Sequence, residues 1–306
     1  MSSSAPAKES LQESASAMLA LGWQVSVVDT RQKGHARRLA RMAAKTGVSV
    51  VFACGGDGTA NEVANGLAGT QTALALIHGG LTNVLAKELG VPSSPQEAIQ
   101  LLTEGEIRRI DVGTANGRKF LLQVGIGFDA DIIRSVSPDA KRTWGKAAFV
   151  MRGLNQLLQR HAEPTEISVD GEPKKSNLFW LVLANTPNYA GLRIARDGVL
   201  DDGRLDAFTL EGDGPLHTVT SAAKVILNRT EEATDLESNQ VEHFQLEHLV
   251  VETPGLAVHA DGEDLGDTPM TFGVQPKALR ILLPPEGGAH LFGSQPDEAS
   301  QALKPP

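Results

Sequence analysis

From Ser10 to Glu104 the apolar residues recur with two periods in turn. Three-to-four-residue spacing over Ser10–Leu21, His35–Thr46, Ala60–Leu67, Asn83–Leu89 and Pro95–Glu104 predicts helices, whereas short apolar runs at Gln24–Asp29, Val48–Ala53 and Ala73–Ile77 predict strands. Val48, Val50, Val51 and Phe52 crowd together as in a strand buried on both faces. Alternation of this kind builds a parallel sheet with helices on both faces and ligands at the carboxyl ends of its strands. From about Phe120 the pattern shortens. Strands are predicted at Phe120–Ile126, Glu166–Val169, Leu178–Ala184, Leu205–Leu210, His243–Val251, Leu256–Ala260, Met270–Val274 and Leu279–Leu283, with helices near Trp144–Arg160 and Leu216–Asn228. The chain therefore reads as a doubly wound parallel α/β domain over 1–115, a β-rich, sandwich-like domain over 116–285, and a mobile tail over 286–306.

A length of 306 residues is consistent with two cores, since single cores stop growing near this size. A net charge of −9 argues against broad nucleic-acid binding, which calls for a basic face. No apolar run is long enough to span a bilayer, the first ten residues lack a secretory pattern, and the single cysteine, Cys54, cannot form an internal disulfide. A cytoplasmic protein is expected. One stretch departs from the acidic average: Arg31, Lys33, Arg37, Arg38, Arg41 and Lys45 carry six cations within fifteen residues, with Ala36, Leu39, Ala40 and Ala43 at helical spacing on the other side. It reads as a solvated helix face, in preference to a membrane-facing patch.

Candidate chemistry concentrates at Val48–Leu67. A strand runs into Gly55-Gly56-Asp57-Gly58-Thr59, where the glycines allow backbone torsions and close approaches that turn successive N–H groups toward phosphate oxygens. A carboxylate among those donors would repel a bare phosphate, so Asp57 suits Mg²⁺ binding or orientation of an attacking hydroxyl. Thr59 and Glu62 have capping-box spacing, which leaves two readings for Glu62, a helix cap or a part in metal or nucleotide positioning.

The run resembles the diacylglycerol kinase catalytic domain family, which includes bacterial lipid kinases and sphingosine and ceramide kinases. The resemblance continues through Ile110-Asp111-Val112-Gly113, the Val124–Ala130 stretch with Asp129, Gly191, the Asp201–Leu205 run and Ala260-Asp261-Gly262-Glu263, in the family's order over about residues 20 to 285. It implies an ATP- and Mg²⁺-dependent lipid kinase of phospholipid metabolism, in which the hydroxyl of diacylglycerol or a related lipid alcohol attacks the γ-phosphorus of ATP. The residues implied for nucleotide are Thr30, Gly55, Gly56, Asp57, Gly58, Thr59, Asn61, Glu62 and Asn83; for metal, Asp57 and Asp202; for the lipid head group, Asp129. The base stays open among Asp57, Asp261 and Glu263. Asp170-Gly171-Glu172 repeats the late triplet and is expected to be a plain hairpin, since Asp-Gly between strands is a turn signal by itself.

A lipid substrate implies transient peripheral contact with a membrane surface, for which Lys141, Arg142, Trp144, Lys146 and Phe149 are the first candidates. The oligomeric state stays open, a homodimer included. Three positions depart from the family pattern. Nothing before Leu11 supplies its opening strand and NPxxG turn, Leu81 replaces the threonine of its GTxN loop, and Arg196 replaces a proline before the Asp-Asp-Gly turn. These departures keep open a catalytically impaired lipid- or nucleotide-binding relative. An NAD kinase would share GGDGT, yet Asn61-Glu62 directly after the turn and the late Asp-Gly-Glu fit the lipid branch better.

Overall fold

The computed structural model describes residues 8–135, 161–189, 192–193, 195, 198–212, 241–285 and 287–293. They separate into two compact units, one within Met1–Val112, Val199–Gly203 and Gln275–Pro306, the other within Gly113–Gly198 and Arg204–Val274. The expected helices near Trp144–Arg160 and Leu216–Asn228, the cation-aromatic segment 141–149, Gly191 and Arg196 lie outside the described residues.

Unit one is the α/β part. Its elements are α1 (Lys8–Ala20), α2 (His35–Lys45), β1 (Val50–Gly55), α3 (Asp57–Leu67), β2 (Ala73–His78), α4 (Val84–Glu88), α5 (Pro95–Thr103) and most of β3 (Glu106–Ala115), with the later part of β15 (Met270–Leu283). β1 and β2 pair in parallel from Val50↔Ala73 to Gly55↔His78, and Ile281 of β15 continues the parallel ladder at Leu74. Five of the six β2 residues are buried, as expected for a strand packed on both faces. Ala73, Ala75, Leu102, Ile107 and Leu282 form the core between this sheet and α5.

The strand expected at Gln24–Asp29 does not form. Residues 23–31 belong to no ladder, and Val27 and Val28 are each 60% exposed. Apolar alternation is not sufficient, because a strand exists only against a partner, and among the described residues β1 pairs with β2 alone. Beyond Pro284, a short 3₁₀ turn at Ala289–Leu291 buries Leu291 fully, and the Leu200 N–H donates to the Leu291 carbonyl (2.7 Å).

Unit two is antiparallel. It contains β4 (Arg118–Phe120), β5 (Gln123–Gly127), α6 (Phe128–Ser135), β6 (Glu163–Val169), β7 (Glu172–Ala184), β8 (Asn188–Tyr189), β9 (Leu192–Arg193), β10 (Leu205–Glu211), β11 (Val241–Leu246), β12 (His248–Val251), β13 (Ala257–Ala260), β14 (Glu263–Asp267) and the first part of β15. β7 is the central strand, flanked by β10 on one side and by β5 and β6 on the other. Leu181 and Leu183 enter one core with Phe120, Ile126 and Phe272, while Trp180 and Val182 enter a second with Phe128 and Phe208. Period-two alternation thus sends neighbouring residues of β7 into cores on opposite faces of the strand, so that β7 is covered on both sides, one face more than a plain two-sheet sandwich buries.

Candidate functional site

Two glycine loops of unit one interlock at the carboxyl ends of β1 and β2. α3 begins at Asp57, three residues before the expected start, because extended Gly56 is its N-cap and the Gly56 carbonyl accepts the N–H groups of Thr59 (2.9 Å) and Ala60 (3.1 Å). A Cβ on Gly55 would lie 2.6 Å from Thr59 Oγ1, and one on Gly80 would lie 2.5 Å from Gly56 Cα. Only glycine allows these approaches. Gly58 differs, since nothing lies within 4 Å of where its Cβ would be, so the space beside the first turn of α3 is open.

Asp57 joins the loops. Its Oδ1 accepts the Val84 N–H (2.7 Å) and its Oδ2 accepts the Thr82 hydroxyl (2.7 Å). Asn83 adopts the left-handed conformation (φ 47°). Its Oδ1 accepts the N–H groups of Gly79 (3.3 Å) and Gly80 (2.9 Å), and its Nδ2 donates to the Gly80 carbonyl (2.7 Å). Leu81, between them, is 85% exposed. Gly55, Gly56, Asp57 and Asn83 line one narrow crevice with Ala53 and Ala60. The structure therefore brings together four of the residues implied for nucleotide. Asn61 is half-buried on α3, where its Oδ1 accepts from Asn65 Nδ2 (2.8 Å), and Thr30 lies exposed in the coil before α2.

The capping box of Thr59 and Glu62 is not formed, for Thr59 sits inside the first helical turn and the N-cap is Gly56. Glu62 caps the neighbouring helix instead. Its carboxylate accepts the N–H groups of Gly34 (2.6 Å) and Ala36 (3.1 Å) at the start of α2, which has neither a side-chain cap nor an acid in its own first turn. The two helices approach closely at Gly66, where a Cβ would lie 2.6 Å from the Arg37 carbonyl oxygen and 2.7 Å from the Ala40 Cβ.

A second acidic group of unit one surrounds Asp111. This fully buried carboxylate accepts the N–H groups of Gly203 and Lys277, both at 2.6 Å. Burial raises its carboxyl above the ordinary range, those two N–H groups oppose the shift, and the charges of Asp202 and Asp201 add to it. Asp201 is buried and accepts the Gly293 N–H (2.8 Å), while Asp202 is exposed at the turn. Among the described residues no three His, Cys, Asp or Glu side chains are gathered as metal ligands. The donors are nevertheless hard carboxylate oxygens of one sign, the set that suits Mg²⁺.

In unit two, Asp261 and Gly262 both have positive φ (48° and 77°) and form the two-residue turn between β13 and β14. The Asp261 carboxylate accepts the N–H groups of Leu121 (2.8 Å), Leu122 (3.0 Å) and Gln123 (3.0 Å). Glu263, half-exposed, pairs with Arg118 on β4. The repeat at Asp170 and Gly171 uses the same turn (φ 49° and 90°), and its carboxylate likewise accepts N–H groups, those of Glu247 (2.9 Å) and His248 (2.7 Å). Both triplets are thus locally the same device, an aspartate that fixes a hairpin to a neighbouring loop.

Asp129, in the first turn of α6, is buried rather than presented to solvent, and its Oδ2 lies 3.0 Å from His259 Nε2. Arg134, near the other end of α6, bonds Asp264 (2.9 Å) and Asp267 (2.7 Å) on β14. Its guanidinium holds the Asp264 carboxyl below the usual carboxylate range. His259 carries no local signal in the sequence, being a lone histidine in an apolar strand.

Interlocked glycine loops close a parallel α/β unit, and an antiparallel unit carries the Asp-Gly-Glu turn, the arrangement expected of the lipid-kinase class. Residues 1–115 match the diacylglycerol kinase catalytic domain, and residues 122–283 match the YegS C-terminal NAD kinase β-sandwich-like domain. The chain belongs to the diacylglycerol kinase-like, YegS-like family of lipid kinases. A protein of Pseudomonas putida named a probable lipid kinase YegS-like is 30% identical over 270 residues, 86% of each chain. Another of that name from Pseudomonas aeruginosa PAO1 is 30% identical over 298 residues, 95% of this chain and 94% of the relative. A solved diacylglycerol kinase of Bacillus anthracis shares the fold at a TM-score of 0.67 and 22% identity, over 94% of this chain and 96% of its own. A second solved protein of that organism reaches a TM-score of 0.72 at 26% identity, over 91% of each. Membership of a kinase family implies nucleotide use. No helix among the described residues is long and apolar enough to cross a membrane.

Proposed function

We propose that the protein transfers the γ-phosphoryl group of ATP to the hydroxyl of diacylglycerol or a related lipid alcohol, with Mg²⁺ as cofactor. The observation that carries the reading is the Asp57 bridge: one carboxylate ties the loop after β1 to the loop after β2, leaving main-chain N–H groups and the open side of Gly58 for phosphate oxygens. Phosphoryl transfer asks mainly for positioning and for compensation of negative charge. Mg²⁺ would supply that positive charge, and Asp57 is the donor the loops offer to it. Asp202, with Asp201 and buried Asp111, supplies a second acidic oxygen set of unit one that a Mg²⁺ ion would relieve of its mutual repulsion.

In unit two we assign the base to Glu263. Three N–H donors already occupy Asp261, so that residue fixes the turn, whereas the half-exposed Glu263 carboxylate can take a proton from an alcohol. Asp129 acts behind the turn rather than as a head-group ligand, since it is buried against His259. The peripheral membrane contact is assigned to α2. Arg37, Arg38, Arg41, Met42 and Lys45 share its exposed face, opposite buried Ala36 and Ala40, and a basic face with an apolar side chain complements an anionic bilayer.

Incubation with ATP, Mg²⁺ and diacylglycerol vesicles tests the reading. Phosphorylated lipid is expected. Vesicle binding without turnover would instead identify an impaired lipid-binding relative, and turnover with NAD alone would identify a soluble-substrate kinase.

A further inference from the structure

Gly125 of β5 has no side chain, and a Cβ there would lie 1.9 Å from Asp129 Oδ2. The carboxylate of α6 therefore occupies the place above β5 that a side chain would take. On the adjacent strand β13, His259 pairs with that same Gly125, so the missing side chain opens the approach between Asp129 and the imidazole. His259 is 1% exposed. One ring nitrogen, Nε2, lies 3.0 Å from Asp129 Oδ2, and the other, Nδ1, accepts the Gly262 N–H at 3.4 Å. An acceptor at Nδ1 leaves the single ring proton of neutral imidazole on Nε2, where it is donated to Asp129.

This linkage ends on the central residue of Asp261-Gly262-Glu263. The plain hairpin elsewhere in unit two is a natural control. There the residue two positions before the aspartate is Ser168, which carries no ring, while Asp170 secures a turn of the same backbone conformation. Turn formation itself thus does not require a histidine. A second tie runs from the same helix to the same hairpin, through Arg134 to Asp264 and Asp267. α6 grips β13 and β14 at both ends.

We propose that His259 is a positioning residue that fixes the Asp261-Gly262-Glu263 turn on Asp129, and so sets the direction of the Glu263 carboxylate from α6. The inference rests on Glu263 as the base for its kinetic part, but its structural part stands without that reading. His259→Gln keeps a donor near the Nε2 position and removes the acceptor for Gly262, whereas His259→Asn keeps an acceptor near Nδ1 and removes the donor to Asp129. Loss of the Gly262 bond misdirects a reacting group, which costs about a hundredfold when the displacement approaches 1 Å.

The test combines three measurements on the full chain. ¹⁵N NMR of the wild-type protein is expected to show His259 protonated on Nε2 alone, and a proton on Nδ1 overturns the proposal without any variant. Hydrogen exchange at the Gly262 amide is expected to quicken about tenfold in His259→Gln and to stay near wild type in His259→Asn. Equal exchange in both variants overturns it. With ATP and diacylglycerol vesicles, kcat of His259→Gln is expected to fall by roughly ten- to a hundredfold at unchanged KM for ATP, with His259→Asn closer to wild type. A kcat loss that follows melting temperature equally in both variants assigns His259 a merely structural role and overturns the proposal. If the wild type turns over no lipid, the assigned activity fails while the NMR and exchange results still decide the role of His259.

Discussion

Gly56 and Gly80 meet backbone against backbone: a Cβ on Gly80 would stand 2.5 Å from Gly56 Cα and 3.1 Å from Asn83 Oδ1. This contact lets a single carboxylate, that of Asp57, reach both loops. Gly80→Ala forces the loops apart, with an expected loss of about 1–3 kcal/mol in urea unfolding, the range for overpacking a tight site. ATP affinity, read by calorimetry, is expected to fall with it. Unchanged stability would show that the loops separate freely.

Glu62 supports α2 rather than its own helix. Glu62→Ala leaves the N–H groups of Gly34 and Ala36 without this carboxylate and is expected to destabilise the protein by about 1–2 kcal/mol, as loss of a helix cap does. Turnover per folded molecule should stay near wild type. A selective loss of ATP binding at full stability would return Glu62 to the nucleotide.

Burial pushes the Cys54 thiol up to about 11, so it is the neutral thiol at physiological pH. Only about one molecule in a thousand carries the thiolate at pH 8. Alkylation by iodoacetamide is expected to be slow at pH 8 and to accelerate as pH rises toward 11. Rapid labelling at pH 7 would contradict this desolvation of the thiol.

On α2, Arg37→Glu, Arg38→Glu and Arg41→Glu together reverse the exposed charge without touching Ala36 or Ala40. Sedimentation with anionic vesicles is expected to weaken by more than tenfold, since each basic residue near such a surface contributes about 1 kcal/mol. Binding to neutral vesicles should change little. Equal binding of the triple variant and wild type to anionic vesicles would leave α2 a solvated face.

Much of this architecture was legible in the chain, and the exceptions have physical causes. Long periodic segments such as His35–Thr46 and short apolar runs such as Ala73–Ile77 became α2 and β2 almost as expected, because local period and tertiary packing agree there. β3 was not anticipated: Glu106, Arg108, Arg109 and Asp111 interrupt its apolar pattern, yet Arg108 is buried with its guanidinium 4.2 Å from the Phe292 ring centroid, and Asp111 is capped by two N–H groups. A signal was present in Asn116-Gly117, whose positive φ values (45° and 79°) form the β3–β4 turn. Met270–Val274 and Leu279–Leu283 join into the single strand β15 across Gln275, Pro276, Lys277 and Ala278, where Lys277 turns left-handed (φ 49°) and donates its N–H to Asp111.

At the site, the glycine loops could be read from spacing, but the partners of their side chains could not. Glu62 satisfies its usual capping chemistry on another helix, and Asp57 finds its donors 25 and 27 residues away. The role of His259 depends on strand register and on a glycine in the neighbouring strand, neither of which is written into the residues beside it.

Transfer from ATP, held by the glycine loops and Asp57, to a lipid hydroxyl is the proposed reaction. Its most direct measurement follows γ-labelled phosphate from ATP into diacylglycerol vesicles with Mg²⁺, for the wild type and Asp57→Ala side by side, with folding checked by circular dichroism. Labelled phosphatidic acid from the wild type, and at least a hundredfold less from a folded Asp57→Ala, is the predicted result. Wild-type turnover in the variant would remove Asp57 from the reaction, and no labelled lipid from either protein would rule out the reaction itself.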